Sequence, residues 1–217
     1  MLDRPKIGFT PADRLRGVLV TFCAEGLKFG PATQKALSPL GDLYRRAAAA
    51  DRFTGKNGST LDIIAPTGLN APRLVIIGTG KERELRDRDL IKLGGVAMGK
   101  IPTAAAQATI VAEFAGGALK ADQIADLALG ARLRGYRFDR YKTKRKEGEE
   151  RADKVEVNFA CANPAAAEKA WARAVGVALV IEVVGMNPDD RAANATGFRV
   201  PPDPSSHLES LRHRRFS

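Results

Sequence analysis

The sequence is poor in aromatic residues, cysteine and histidine. Phe, Trp and Tyr make up 6% of the 217 residues, so aliphatic side chains and alanine must form most of any core. The two cysteines, Cys23 and Cys161, lie in apolar, strand-like contexts, which favours buried thiols over a disulfide. The two histidines, His207 and His213, have no cysteine or histidine at metal-binding spacing. The pattern therefore supports neither a zinc site nor a nucleophile–histidine catalytic pair.

Long apolar runs are also missing. No stretch approaches the ~18 consecutive apolar residues of a membrane-spanning helix. The first residues, Met-Leu-Asp-Arg-Pro, do not have the apolar core of a secretory signal peptide. We therefore expect a cytoplasmic protein that does not bind membranes.

Positive charge is abundant, with a formal net charge of +10. Such a balance suggests nucleic acid as a partner, because Lys and Arg neutralise phosphates. One concentration lies in the stretch 132–146, where the candidate DNA contacts are Arg132, Arg134, Arg137, Arg140, Lys142 and Lys144. A charge run is more often a solvated face, and three glutamates within 147–150 weaken this one.

Hydrophobic patterning predicts strands that alternate with helices. Strands are expected at 16–23, 59–65, 73–78, 106–114 and 154–160, the second and third forming a hairpin and the last having one solvent-exposed face. Helices are expected at 85–100, 120–135 and 165–177, and two short ones within 31–50, interrupted near Pro39. This alternation indicates an α/β sandwich built on a mixed sheet. The proline- and arginine-rich tail is expected to be disordered from about residue 187.

Glycines mark two possible ligand positions. Gly78, Thr79, Gly80 and Lys81 follow a strand, as in a phosphate-binding loop, and could hold an ADP-ribose-type molecule. The pattern departs from a Walker loop, so a plain strand-to-helix turn is the alternative. The pair Gly94-Gly95 indicates close packing or an approach to a ligand.

Several segments together resemble the N-terminal domain of the leucyl (cytosol) aminopeptidase family. They are the segment 73–81 (RLVIIGTGK), the segment 127–142 (LALGARLRGYRFDRYK), the tetrapeptide 53–56 (FTGK), the helix with Leu-Gly-Gly at 93–95, and the helix after Asn163-Pro164. The resemblance covers about four-fifths of the chain, roughly residues 17–177.

The resemblance implies a macro-domain-like three-layer sandwich at 1–162, a linker helix at 163–185 and an irregular tail at 186–217. It also implies cytoplasmic homohexamers whose catalytic domain, with two manganese or zinc ions, removes N-terminal residues from peptides. The family's metal-binding string Asn-Thr-Asp-Ala-Glu-Gly-Arg-Leu is absent here, so no catalytic or metal-binding residue can be assigned. We therefore expect a truncated chain, inactive alone, with an assembly or regulatory role toward catalytic domains or full-length subunits. A DNA-binding module and a macro-like small-ligand binder are the alternatives.

Overall fold

The structure is a computed structural model, and it describes residues 5–135 and 155–184. The tail predicted to be disordered lies outside these residues. The chain divides into two compact units, Met1–Leu179 and Val180–Ser217, and residues 180–184 are the described part of the second. Within the described ranges, no helix combines the length and apolarity needed to cross a bilayer.

The strands confirm most of the sequence prediction. Their bounds are β1 Lys6–Pro11, β2 Val18–Ala24, β3 Thr60–Ile64, β4 Arg73–Gly80, β5 Gln107–Val111, β6 Glu113–Phe114, β7 Gly117–Ala118 and β8 Glu156–Cys161. Six of them form one sheet in the order β1-β8-β5-β2-β4-β3, in which β3 alone is antiparallel to its neighbour. The predicted hairpin is β3–β4, with Thr60 opposite Ile77 and Ile64 opposite Arg73.

The helices also lie where periodicity placed them. Their bounds are α1 Pro31–Leu37, α2 Leu43–Ala50, α3 Asp87–Lys100, α4 Ala121–Gly135 and α5 Pro164–Val184. A single 3-10 turn, Ser38–Leu40, separates α1 from α2 because Pro39 has no amide hydrogen to continue the helix. Pro31 and Pro164 occupy first turns, where this missing donor costs nothing.

Helices cover both faces of the sheet, which gives three layers. On one face, Phe22, Ile110 and Phe159 belong to a core that includes Leu93 of α3 and Leu127 of α4. The half-buried Trp171 of α5 packs against this core, as predicted. On the other face, the core combines strand residues with residues of α1 and α2, and its members are Leu19, Cys23, Phe29, Leu37, Leu40, Ala48, Phe53, Leu61, Leu74, Ile76 and Val111. The α/β class and the mixed, mostly parallel sheet are thereby confirmed.

Two details of the prediction were wrong. The strand β1 was missed, because its short sequence Lys-Ile-Gly-Phe-Thr-Pro carries little signal without its neighbour β8. The segment 106–114 is not one strand: Gly117, with φ of 117°, turns the chain so that β6 pairs with β7. The alternation predicted for β8 is present: Val157, Phe159 and Cys161 on one face are buried, whereas Glu156 and Asn158 on the other face are partly exposed.

Candidate functional site

A shallow depression of about 610 Å³ opens at the amino ends of the parallel strands. Its wall includes Lys6 of β1, Gln107 of β5 and Glu156 of β8, together with the small residues 104–106. Lys6 Nζ lies 3.6 Å from Glu156 Oε1, and Gln107 Nε2 donates to Glu156 Oε2 at 3.5 Å. Ligand clefts of α/β domains lie at the opposite, carboxyl end of the strands. The depression is therefore a surface feature lined by an internally paired set of charges.

The predicted ligand turn, Gly78 to Lys81, lies at the carboxyl end of β4. Its glycine amides already have protein partners: Gly78 N–H donates to the Ser59 carbonyl at 2.8 Å, and Gly80 N–H donates to the Gly55 carbonyl at 2.9 Å. A Cβ at Gly78 would meet the Lys56 carbonyl, so the loop 55–59 fills the space beside the turn.

The side chains of this turn are engaged as well. Thr79 is buried and its hydroxyl donates to the Cys23 carbonyl at 3.0 Å, while Lys81 Nζ lies 3.4 Å from Glu84 Oε1. These bonds give the turn a structural role. The hypothesis of an ADP-ribose-type ligand here stays a prediction, which calorimetry with ADP-ribose tests.

Sequence reasoning missed the buried carboxylate of Glu113. This side chain is 5% exposed, and it accepts the Ala32 N–H at 3.1 Å and the Thr33 N–H at 2.7 Å. Both amides belong to the first turn of α1. The N-cap residue of this helix is Gly30, which has no side chain that could accept a hydrogen bond from them. A charged residue inside the otherwise apolar predicted strand 106–114 was the available signal, but only the folded chain shows its partners, about eighty residues away.

Both cysteines are buried free thiols, as predicted. Burial raises the pKa of Cys23 to about 12. Burial also raises the pKa of Cys161, and a hydrogen bond with the Asn163 backbone opposes part of that rise. Since the thiolate is the nucleophile, the raised pKa of each cysteine lowers its reactivity near neutral pH.

The predicted basic stretch is described only at its beginning, on the last turn of α4. Arg132 lies over the Trp171 ring, 5.8 Å from its centroid, and Arg134 is exposed. The other candidates, Arg137, Arg140, Lys142 and Lys144, lie outside the described residues. The contact with DNA stays a prediction.

In the ranges 5–135 and 155–184, no three His, Cys, Asp or Glu side chains come together in a way that could hold a metal ion.

Comparison with known proteins gives a family. A family model described as "Cytosol aminopeptidase family, N-terminal domain" matches residues 18–145. A "Probable cytosol aminopeptidase" of Afipia carboxidovorans is 51% identical over 194 residues, which cover 87% of this chain and 39% of that protein. One from Nitrobacter winogradskyi is 49% identical over 173 residues, which cover 79% of this chain and 35% of that protein. The chain thus spans well under half the length of these relatives.

Solved structures share the fold. A mutant of tomato leucine aminopeptidase aligns with a TM-score of 0.68 at 19% identity, over 86% of this chain and 39% of that one. The bottromycin maturation enzyme BotP aligns with a TM-score of 0.58 at 16% identity, over 90% of this chain and 37% of that one. The matched family model and the sequence identity to curated relatives together show that this chain belongs to the cytosol aminopeptidase family, with residues 18–145 matching its N-terminal domain.

Proposed function

We propose that this chain acts as the non-catalytic N-terminal domain of a cytosol aminopeptidase, with an assembly or regulatory role and no peptidase activity of its own. One observation carries the proposal: the match is to the family's N-terminal domain and accounts for 39% of the Afipia relative. In this proposal, the two divalent ions, manganese or zinc, and the hydrolysis of N-terminal residues belong to the catalytic domain.

The fold supports an independently folding module. Both faces of the sheet are covered by helices, and each face has its own apolar core, so burial of the sheet does not depend on another domain. A domain of this kind can support assembly because it presents a rigid surface to a partner.

The helix α5 supports the assignment of a linker at 163–185. It begins at Pro164 directly after β8, and its first turns pack on the core through Ala167 and Trp171. The exposed ion pair between Arg173 Nη2 and Asp122 Oδ1, at 2.8 Å, also joins α5 to α4. A linker helix fixed on the domain in this way would transmit the domain's position to whatever follows it.

The first experiment measures hydrolysis of leucyl p-nitroanilide by the purified chain with manganese. We expect no turnover above the blank. Turnover that co-purifies with the chain and disappears on addition of a chelator would contradict the proposal.

The second experiment tests the assembly role. The part of the Afipia aminopeptidase that this chain does not match is expressed alone, with this chain, or with its own N-terminal domain as the positive control. We expect this chain to co-purify with it and to raise its recovery as an assembled species in light scattering. Failure to co-purify where the positive control succeeds would argue against the assembly role.

A further inference from the structure

The dipeptide Asn57-Gly58 forms an exposed turn just before β3. Ser59 N–H donates to the Lys56 carbonyl at 3.0 Å, which closes the turn around the two residues. Gly58 has φ of 76°, the left-handed region that glycine occupies without strain. It is the single Asn-Gly sequence among the 217 residues.

Asparagine followed by glycine is chemically labile. The backbone nitrogen of the glycine attacks the side-chain carbonyl carbon of the asparagine, a C–N bond forms, and the side-chain nitrogen leaves as ammonia. Water then opens the resulting five-membered imide, which gives aspartate or isoaspartate. Glycine favours the reaction because it has no side chain to hinder the approach and its backbone rotates freely.

The fold holds the attacking nitrogen away from this reaction. Gly58 N–H donates to the Gly78 carbonyl at 2.9 Å, and Gly78 N–H donates to the Ser59 carbonyl at 2.8 Å. A third bond, from Gly80 N–H to the Gly55 carbonyl at 2.9 Å, joins the same loop to the end of β4. To attack Asn57, the Gly58 nitrogen must lose its proton and turn toward the side chain, and both changes break its bond to Gly78.

We propose that Asn57 is a spontaneous deamidation site whose rate is set by opening of the loop 55–59 from the end of β4. The closed loop suppresses the reaction, and each opening frees the Gly58 nitrogen to attack Asn57. The isoaspartate product adds one negative charge and one methylene to the backbone of a four-residue turn. The lengthened turn cannot re-form its closing bond and the bond to Gly78 together, so modification makes the opening permanent.

The rate of deamidation at Asn57 is measured by peptide mapping and mass spectrometry, with incubation at mildly alkaline pH. The folded chain is compared with the urea-unfolded chain and with a synthetic peptide of residues 51–62. We expect the folded chain to react at least about tenfold more slowly, the ratio that an opening free energy of ~1.4 kcal/mol gives.

A variant tests whether opening of the loop 55–59 controls the rate of deamidation. A Cβ at Gly80 would lie 3.1 Å from Asn57 Cβ, and Gly80 has φ of 74°, so Gly80→Ala is expected to loosen the loop and accelerate deamidation. The variant Asn57→Gln is the matched control, because its longer side chain closes the imide ring far more slowly.

If Gly80→Ala does not fold, sub-denaturing urea on the unchanged chain provides the same test, and the rate should rise before global unfolding. Equal deamidation rates in the folded chain and the peptide would overturn the proposal that opening of the loop 55–59 sets the rate. A peptide that shows no deamidation at Asn57 would overturn the assignment of Asn57 as a deamidation site.

Discussion

Gly94 of α3 lies directly against the carbonyl oxygen of Leu127 of α4, where a Cβ would have no room. The contact is reciprocal, because Gly130 of α4 lies in the same way against the carbonyl oxygen of Ile91 of α3. Two helix backbones therefore touch without side chains between them, and Leu93 and Leu127 beside the contact are fully buried. Of the two interpretations drawn from the sequence, close packing and approach to a ligand, close packing explains Gly94.

The first prediction concerns this contact. Gly94→Ala should lower the free energy of unfolding by about 1–3 kcal/mol, because the backbone of α4 cannot move aside without disturbing the core. The neighbouring Gly95→Ala is the control: its Cβ would find its nearest atom at 3.7 Å, an ordinary contact. That variant should be neutral or up to ~1 kcal/mol more stable, since alanine favours helix over glycine. Urea denaturation measures both, and equal effects would contradict the packing argument.

The second prediction concerns the start of α1. Glu113→Ala leaves the buried amide of Thr33 and the partly buried amide of Ala32 without their acceptor and should cost about 1–3 kcal/mol of stability. Glu113→Gln retains one acceptor oxygen and should cost less. The exposed Glu84→Ala serves as the control and should change stability by less than ~0.5 kcal/mol. Thermal or urea unfolding gives the values, and an effect of Glu113→Ala no larger than that of Glu84→Ala would show that the bonds contribute nothing.

The third prediction concerns the thiols and pH. A chromogenic disulfide reagent should label neither cysteine in the folded chain at neutral pH and both in urea. The pKa of Cys23 is about 12 in the folded chain against 9.0 when unperturbed, so the unfolded state loses this proton first. The contribution of the protonated Cys23 thiol to the free energy of unfolding is therefore present in full below about pH 9, and it is lost as the pH rises toward about 12.

The control for this pH dependence is Cys23→Ala, in which the decline of stability across that alkaline range should be smaller. An identical decline in the variant and the unchanged chain would assign the effect to other groups.

The fourth prediction tests the DNA hypothesis. If the stretch 132–146 binds phosphates, affinity for duplex DNA should fall steeply with salt, with a slope of ~0.9 in log–log units for each phosphate contact. Substitution of Arg137, Arg140 and Lys142 by alanine should weaken binding and reduce the slope. The control removes the same charge from α2 and the turn after it, at Arg45, Arg46 and Arg52. Equal losses in the two triple variants would show a non-specific charge effect, and no binding at low salt would reject the hypothesis.

The sequence predicted those elements whose signal is local. The helix α3 was recognisable because Leu90, Leu93 and Ala97 recur at helical spacing, and all three are buried. The hairpin β3–β4 followed from two apolar runs separated by proline and glycine. The strand β1 was not recognisable, because its place at the sheet edge depends on pairing with β8, some 150 residues later in the chain.

The candidate site likewise has features that the sequence shows and features that only the fold shows. The sequence pointed to the Gly78–Lys81 turn, but only the fold shows that the loop 55–59 already binds the amides of Gly78 and Gly80. The basic stretch was visible as a charge run, and its position relative to the sheet does not follow from charge.

The sequence by itself determined the α/β class, the family and the buried state of the two thiols, because periodicity, segment order and apolar context are properties of neighbouring residues. The tertiary structure decided that Glu113 bonds the amides of α1, that Gly94 and Gly130 let two helices touch, and that Gly58 donates to Gly78. Each of these depends on groups brought together across tens of residues, and the distance and orientation between such groups are set only when the whole sheet and its helices have packed.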